Sequence, residues 1–171
     1  EYFAMLEWGI NQKDHPVAIR VPAMGMISSG VEDTVDYSIL NKYKVGKKGK
    51  DVAVVALGDF YQLGEKVVET LAKEKGIEAT LINPRFITGL DEELLESLKA
   101  DHEFVITLED GILEGGFGEK IASYYGPTNM KVKNYGIKKS FPDRYSAEEL
   151  LKENGVSVEQ IVNDVVSIVG K

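Results

Sequence analysis

Cysteine is absent from the chain, which removes disulfides, thiolate nucleophiles and cysteine-based zinc sites in one step. Histidine is nearly as scarce. His15 and His102 are the only imidazoles; each stands in a charged loop beside an aspartate, where a surface position is expected rather than a base. The longest apolar run is Val52 to Leu57, far short of the ~20 residues a membrane helix needs. An excess of basic residues is missing too: the net charge is −8, and a protein that tracks a nucleic-acid backbone needs the opposite sign. No basic stretch leads into an apolar one at the start, so no secretory signal is expected. These absences predict a soluble, cytoplasmic protein that binds neither nucleic acid nor membrane.

What is present points to a globular chain. Its 171 residues are 43% hydrophobic and 28% charged, enough for one ordinary domain with a single core. The opening Glu1 to Trp8 carries three aromatics. Phe3, Leu6 and Ile10 recur at helical spacing, as on the apolar face of a helix entered midway. The expectation is a fragment whose missing neighbour covers that face; a trimmed end is the alternative.

Along the chain, Val17 to Val21 is a β-branched run stopped by Pro22 and predicts a strand. Residues 23–42 have no sustained period and read as a linker. Tyr43 to Val45 predicts a short edge strand. From there strands and helices alternate. Val52 to Leu57 is unalternated, as when both faces of a strand are covered. Leu63, Val67, Val68, Leu71 and Ala72 form a helical stripe closed by Gly76. Glu78 to Ile82 predicts the next strand, and Asp91 is placed to cap a helix with Leu94, Leu95 and Leu98 turned inward. Phe104 to Leu108 predicts a third buried strand, Gly115 to Gly118 a helix start running through Tyr125, and Lys131 to Tyr135 the last strand. Ser146-x-x-Glu149 and Ser157-x-x-Gln160 are capping boxes, each expected to pair two backbone donors reciprocally. The alternation predicts an α/β fold: a three-layer α/β/α domain on a mostly parallel sheet.

The most site-like stretch is Gly111 to Gly118. Glycines at a helix start expose backbone N–H groups beside the positive end of the dipole, which suits an anion. A tight turn with close helix–strand approach has the same signature. Glu109 and Asp110 stand at a strand's carboxyl end, where open α/β sheets bind ligands. As neighbours on a strand they point in opposite directions, so one solvated and one loop or interface group is the simpler expectation. Arg85, after Asn83-Pro84, could clamp a phosphate or carboxylate or pair with another domain's acid. Ser28, Ser29 and Ser123 have no histidine nearby in sequence. No catalytic set and no metal-ligand set is legible.

Several segments resemble a known family. Val17-Ala18-Ile19-Arg20-Val21-Pro22 resembles the V-A-I-R-Y-P segment ending the pyrimidine-binding domain of 1-deoxy-D-xylulose-5-phosphate synthases, which are transketolase-type thiamine-diphosphate enzymes. Asn83 to Leu94 resembles their D-x-R-F-x-K-P-L-D-E-x-L segment. Asp101-His102-Glu103 through Glu109, then Gly115-Gly116-Phe117-Gly118, is similar to S-H-E…V-T-x-E-E followed by G-G-x-G. Pro142-Asp143, Glu149 to Leu151 and Asn154 to Val156 match the last helical pair.

The resemblance implies a five-stranded mixed sheet of the transketolase C-terminal-domain type. It divides the chain into 1–22 (end of the pyrimidine-binding domain, a helix and a strand), 23–42 (linker) and 43–171 (the C-terminal-type domain). It implies a parent transferase that moves a two-carbon unit with thiamine diphosphate and magnesium held upstream, and no cofactor on this chain alone. Expected partners are the upstream domains, a second copy in a homodimer, and a small-molecule substrate. Arg20 and Arg85 are the candidate substrate-binding residues. Glu109, Gly115, Gly116 and Gly118 form a candidate interface or anion-binding loop, and the domain as a whole is expected to support the dimer and border the substrate entrance.

Departures from the pattern bear on the acceptor. Ala23 stands where the family has a phosphate-binding arginine, and a methyl cannot replace a guanidinium fork. Thr88 and Gly89 replace Lys-Pro, and a His-Gly pair before Ser146 is missing. A different acceptor or a degenerate paralogue follows. The chain also fits the C-terminal part of a split transketolase or of an oxoacid dehydrogenase β subunit. From another class, it fits a non-catalytic anion-binding or regulatory domain.

Overall fold

Alternate residues of one buried strand set up the architecture. The computed structural model describes residues 1–22, 25, 30, 35–143 and 145–170, in two units, Glu1–Leu40 and Asn41–Lys171. In the second unit, strand β2 (Asp51–Ala56) sends Val52, Val54 and Ala56 into one apolar core. Ala53 and Val55 enter the other core, with Leu57 just beyond the strand. A strand buried on both faces needs helices on both, and this chain supplies them. Helices α2 (Tyr61–Lys75) and α6 (Val158–Val169) close the first core through Val67, Val68, Leu71, Ile161, Val162 and Val165. Helices α3 (Glu92–Leu98) and α4 (Phe117–Tyr125) close the second through Leu95, Leu98, Phe117, Ile121 and Tyr125. Each such fully buried side chain contributes roughly 1.5–3 kcal/mol.

The sheet has five strands in the order β1-β3-β2-β4-β5, with β1 at Lys44–Lys47, β3 at Thr80–Asn83, β4 at His102–Ile112 and β5 at Lys131–Ile137. Only β1 runs antiparallel to its neighbour. The predicted three-layer α/β/α fold with a mixed, mostly parallel sheet is therefore the observed one. Both outer strands carry lysines, Lys44 and Lys47 on β1 and Lys131 and Lys133 on β5.

Most local signals act as read. Asp91 Oδ1 accepts the Leu94 N–H at 3.2 Å and starts α3. Its other oxygen accepts the Tyr43 N–H at 3.0 Å, so one cap also fixes the approach to β1. Ser146 and Ser157 accept from Glu149 and Gln160 N–H groups and open α5 (Ala147–Glu153) and α6. The reciprocal half is made in neither box among the described hydrogen bonds: only Ser146 accepts from Glu149 in the first, and in the second Gln160 Nε2 donates forward to Asp164 Oδ1 at 3.0 Å. Strand β3 begins later than Glu78, because the Glu78 carbonyl accepts the Lys50 N–H at 2.7 Å and is engaged by the turn before β2.

The first unit keeps the expected helix, its apolar face uncovered, but not the expected strand. Helix α1 (Tyr2–Asn11) buries none of its residues, and Phe3 and Ile10 are 78% and 74% exposed. Val17 to Val21 forms no strand, since a strand exists only with a ladder partner and none pairs with it among the described residues. Of the stretch read as linker, Ala23, Met24, Ser28 and Ser29 lie outside the described residues. Asn41 and Lys42 belong to the second unit, where Thr88 donates to Asn41 Oδ1 at 2.8 Å and Lys42 Nζ lies 2.6 Å from Glu93.

Candidate functional site

Strand periodicity decides where the Glu109 side chain goes. Phe104, Ile106 and Leu108 of β4 join the core under α2 and α6. Val105 joins the core under α3 and α4, and Thr107 and Glu109 share its side of the strand. Glu109 is only 4% exposed. Its carboxylate accepts the Phe117 N–H at 2.7 Å and the Gly118 N–H at 3.1 Å. These are first-turn donors of α4, whose N-cap Gly116 makes no side-chain cap. A carboxylate from the strand thus does the work a capping side chain does elsewhere. Asp110, the next residue, is exposed, so the adjacent acids divide into one buried and one solvated group.

The glycines make room for this approach. A Cβ on Gly116 would stand 2.6 Å from Glu109 Oε1 and 2.7 Å from the Ile112 carbonyl. One on Gly118 would stand 2.5 Å from Thr107 Oγ1 and 2.7 Å from Asn134 Cγ. Thr107 donates to Asn134 Oδ1 at 2.9 Å, across the register in which the two residues face each other on β4 and β5. The Gly115 N–H is taken by Glu119 Oε2 at 2.8 Å. The anion held by the glycine-rich helix start is the protein's own Glu109.

Arg85 lies on the turn leaving β3, with φ at +58°, a left-handed conformation that costs a non-glycine residue about 1–3 kcal/mol. The turn is held in part by the Arg85 N–H donating to Asn83 Oδ1 at 3.0 Å and by Phe86 N–H reaching the Pro84 carbonyl at 2.6 Å. Lys120 of α4 donates to the Ile87 carbonyl at 2.7 Å, tying this turn to the helix that Glu109 caps. An open cleft of about 520 Å³ runs along α4 beside it, lined by Leu90, Gly115, Gly116, Glu119, Lys120, Ser123 and Tyr124. Arg20 is exposed in the first unit.

The structure brings Glu109, Gly115, Gly116 and Gly118 together, and through Lys120 links them to the segment after Arg85. Lys120, Thr107 and Asn134 escaped the sequence reading. The available signals were a threonine inside an apolar strand and a lysine one turn into a glycine-led helix. His102 corrects its expectation: its side chain is 4% exposed. Nδ1 lies 3.2 Å from the Leu98 carbonyl and 2.6 Å from Asp101 Oδ1, so it carries the proton. Nε2 is hydrogen-bonded to Thr80 Oγ1 at 2.8 Å, and Thr80 Oγ1 accepts the Gly49 N–H at 2.9 Å. His102 fastens the amino-terminal ends of the strands together. Among the described residues no group of three or more His, Asp or Glu side chains is placed to hold a metal.

Comparison with known proteins gives a consistent set of relatives. The family model described as transketolase, C-terminal domain, matches residues 41–161. A 1-deoxy-D-xylulose-5-phosphate synthase of Shouchella clausii is 32% identical over 170 residues, covering 98% of this chain and 27% of the relative. One of Lachnoclostridium phytofermentans is 34% identical over 169 residues, covering 96% and 26%. The chain thus spans about a quarter of the length of these curated relatives. Among solved structures, a split-gene transketolase described as an inactive β4 tetramer has a TM-score of 0.69 at 24% identity, covering 82% of this chain and 47% of that one. A 2-oxoglutarate:ferredoxin oxidoreductase of Magnetococcus marinus has a TM-score of 0.51 at 18% identity, covering 77% and 20%. At those identities the structural likeness is one of fold.

Proposed function

We propose, from the premise that the chain belongs to the transketolase C-terminal-domain family, that it is the carboxy-terminal part of a thiamine-diphosphate-dependent transferase of the 1-deoxy-D-xylulose-5-phosphate synthase or transketolase type. The observation that carries this reading is the match of such synthases over 98% of this chain but only 27% of their own length. The parent enzyme transfers a two-carbon unit from a ketose or from pyruvate to an aldehyde acceptor in the cytoplasm. In this reading residues 1–22 end the pyrimidine-binding domain and 43–171 form the domain that buttresses a homodimer and borders the substrate entrance.

In this reading thiamine diphosphate and its magnesium are held by the upstream domains. What supports it is that no group of three or more His, Asp or Glu side chains is placed to hold a metal among the described residues, and that Glu109 takes the amides at the start of α4. Calorimetry with thiamine diphosphate and magnesium should give no heat with this chain alone. Micromolar binding would sink that assignment.

The chain's own contribution is positioning. Arg85, on a constrained turn at the carboxyl end of β3, offers a planar donor fork to a phosphate or carboxylate of the substrate; Arg20 is the second candidate. With this chain reconstituted beside its upstream domains, Arg85→Ala should raise KM for a phosphorylated acceptor about 10- to 100-fold, the loss of one charge-assisted contact. An equal rise for an unphosphorylated acceptor would remove Arg85 from the site. A second reading, the C-terminal part of a split transketolase, is favoured by the 82% coverage of this chain by the split-gene structure. The reading as an anion-binding regulatory domain loses its main support, since Glu109 occupies the amides it would use.

A further inference from the structure

We propose that Asn154, followed by Gly155, is a deamidation site held closed by the fold, and that its reaction unfastens the stretch of chain leaving the last strand. Asn154 ends α5, and its carboxamide is engaged at both atoms. Nδ2 donates to the Leu150 carbonyl at 2.8 Å, and Oδ1 accepts the Lys138 N–H at 2.9 Å. Lys138 directly follows β5, so this side chain ties the stretch from Lys138 to Asp143 to the helical pair α5 and α6. That stretch contains the fully exposed Phe141.

The pair is chemically labile for a reason the fold imposes. Gly155 has φ +71°, a left-handed turn that favours glycine. A glycine amide is the least hindered nucleophile toward the preceding asparagine. The Gly155 nitrogen attacks Asn154 Cγ, the new C–N bond closes a five-membered imide, and the carboxamide nitrogen leaves as ammonia. Water then opens the imide at either carbonyl, giving aspartate or isoaspartate. No oxidant or reductant enters.

Three features hold the reaction off in the folded chain. The Gly155 N–H donates to the Lys152 carbonyl at 3.0 Å. The Asn154 backbone, at φ −89° and ψ 6°, keeps the Gly155 nitrogen well away from the eclipsed position over Cβ that ring closure needs. Both carboxamide atoms are held, so the side chain cannot swing without losing two hydrogen bonds. Reaction therefore proceeds from a locally opened state. Afterwards the group cannot refasten as before. A carboxylate has no proton for the Leu150 carbonyl, and it faces the negative end of the α5 dipole. The isoaspartyl product also lengthens the main chain by one carbon and shortens the side chain by one. The result is a one-way, time-dependent loosening.

Peptide mapping of the intact chain, aged at mildly alkaline pH, tests this. Deamidation at Asn154 should be slow in the native chain and fast in urea; equal rates would overturn the proposal. Lys138→Pro deletes the N–H that Asn154 accepts, and native-state deamidation should then rise about three- to tenfold, the shift in open population for one lost hydrogen bond. No rise in a folded Lys138→Pro chain would also overturn it. Should that variant fail to fold, Asn154→Asp decides. With an unchanged circular dichroism spectrum, limited trypsin should cut it after Lys138 or Lys139 faster than the parent, and an unaltered cutting rate would refute the latch.

Discussion

Two carboxylates on opposite faces of the same sheet solve different problems. Glu109, on the α3/α4 face, is held by main-chain amides of a helix start. Asp164, on the α6 side, is held by side chains: Lys133 Nζ at 2.5 Å, the Tyr135 hydroxyl at 2.8 Å and Gln160 Nε2 at 3.0 Å. Burial alone would raise the Asp164 carboxyl. The hydrogen bonds from Lys133, Tyr135 and Gln160 together outweigh it and hold the group below the usual carboxylate range. The main-chain solution needs no partner residues but admits only glycine where the backbones meet. The side-chain solution tolerates ordinary backbone but depends on three residues from two elements.

Breaking the Glu109 side should give the largest effect. Glu109→Ala strands two buried first-turn amides and should cost about 3 kcal/mol, read as a lower urea midpoint at unchanged slope. A loss below about 0.5 kcal/mol, the size of an ordinary surface change, would mean water replaces the carboxylate without penalty. Asp164→Asn should cost about 1 kcal/mol at neutral pH, the partly exposed pair being worth little more than that. Its pH dependence sharpens the contrast. A carboxyl held low in the folded state stabilises above its unfolded value near 3.8 and loses that contribution as pH falls through the lower folded value. The gap between parent and Asp164→Asn should therefore be constant near neutrality and close below pH 3.8; a gap that widens in acid would reverse the assignment. Tyr135→Phe removes one of three bonds and should cost about 0.5–1 kcal/mol, by thermal melting. Burial and the Asp164 bond both push the Tyr135 hydroxyl far above its ordinary range, so it remains a donor throughout.

The sequence displays well the features in which a residue acts on its near neighbours. The unalternated run of β2, the stripe of α2 and the caps Asp91, Ser146 and Ser157 all depend on spacing of a few residues, and all are where the spacing puts them. Glu109 was legible as a strand-end acid beside a glycine-led helix, but neither as the buried member of its pair nor as that helix's cap, because its partners are amides common to every residue. His102 looked like a surface group because its visible neighbour, Asp101, is itself exposed; the partners that bury it, the Leu98 carbonyl and the Thr80 hydroxyl, carry no charge to advertise a pairing. Val17 to Val21 has the composition of a strand, yet composition cannot supply a neighbour to pair with. Gln160 is diverted from its capping box by Asp164, one turn later on the same helix.

A helix that carries its own counter-ion is indifferent to what the solution offers. Phosphate, sulfate or a carboxylate arriving at the start of α4 would have to displace Glu109, which is covalently present at an effective concentration no dissolved ion reaches. The fold of this unit is therefore uncoupled, at that position, from mass action. Ligands can come and go elsewhere in a larger enzyme without this helix being remade each time.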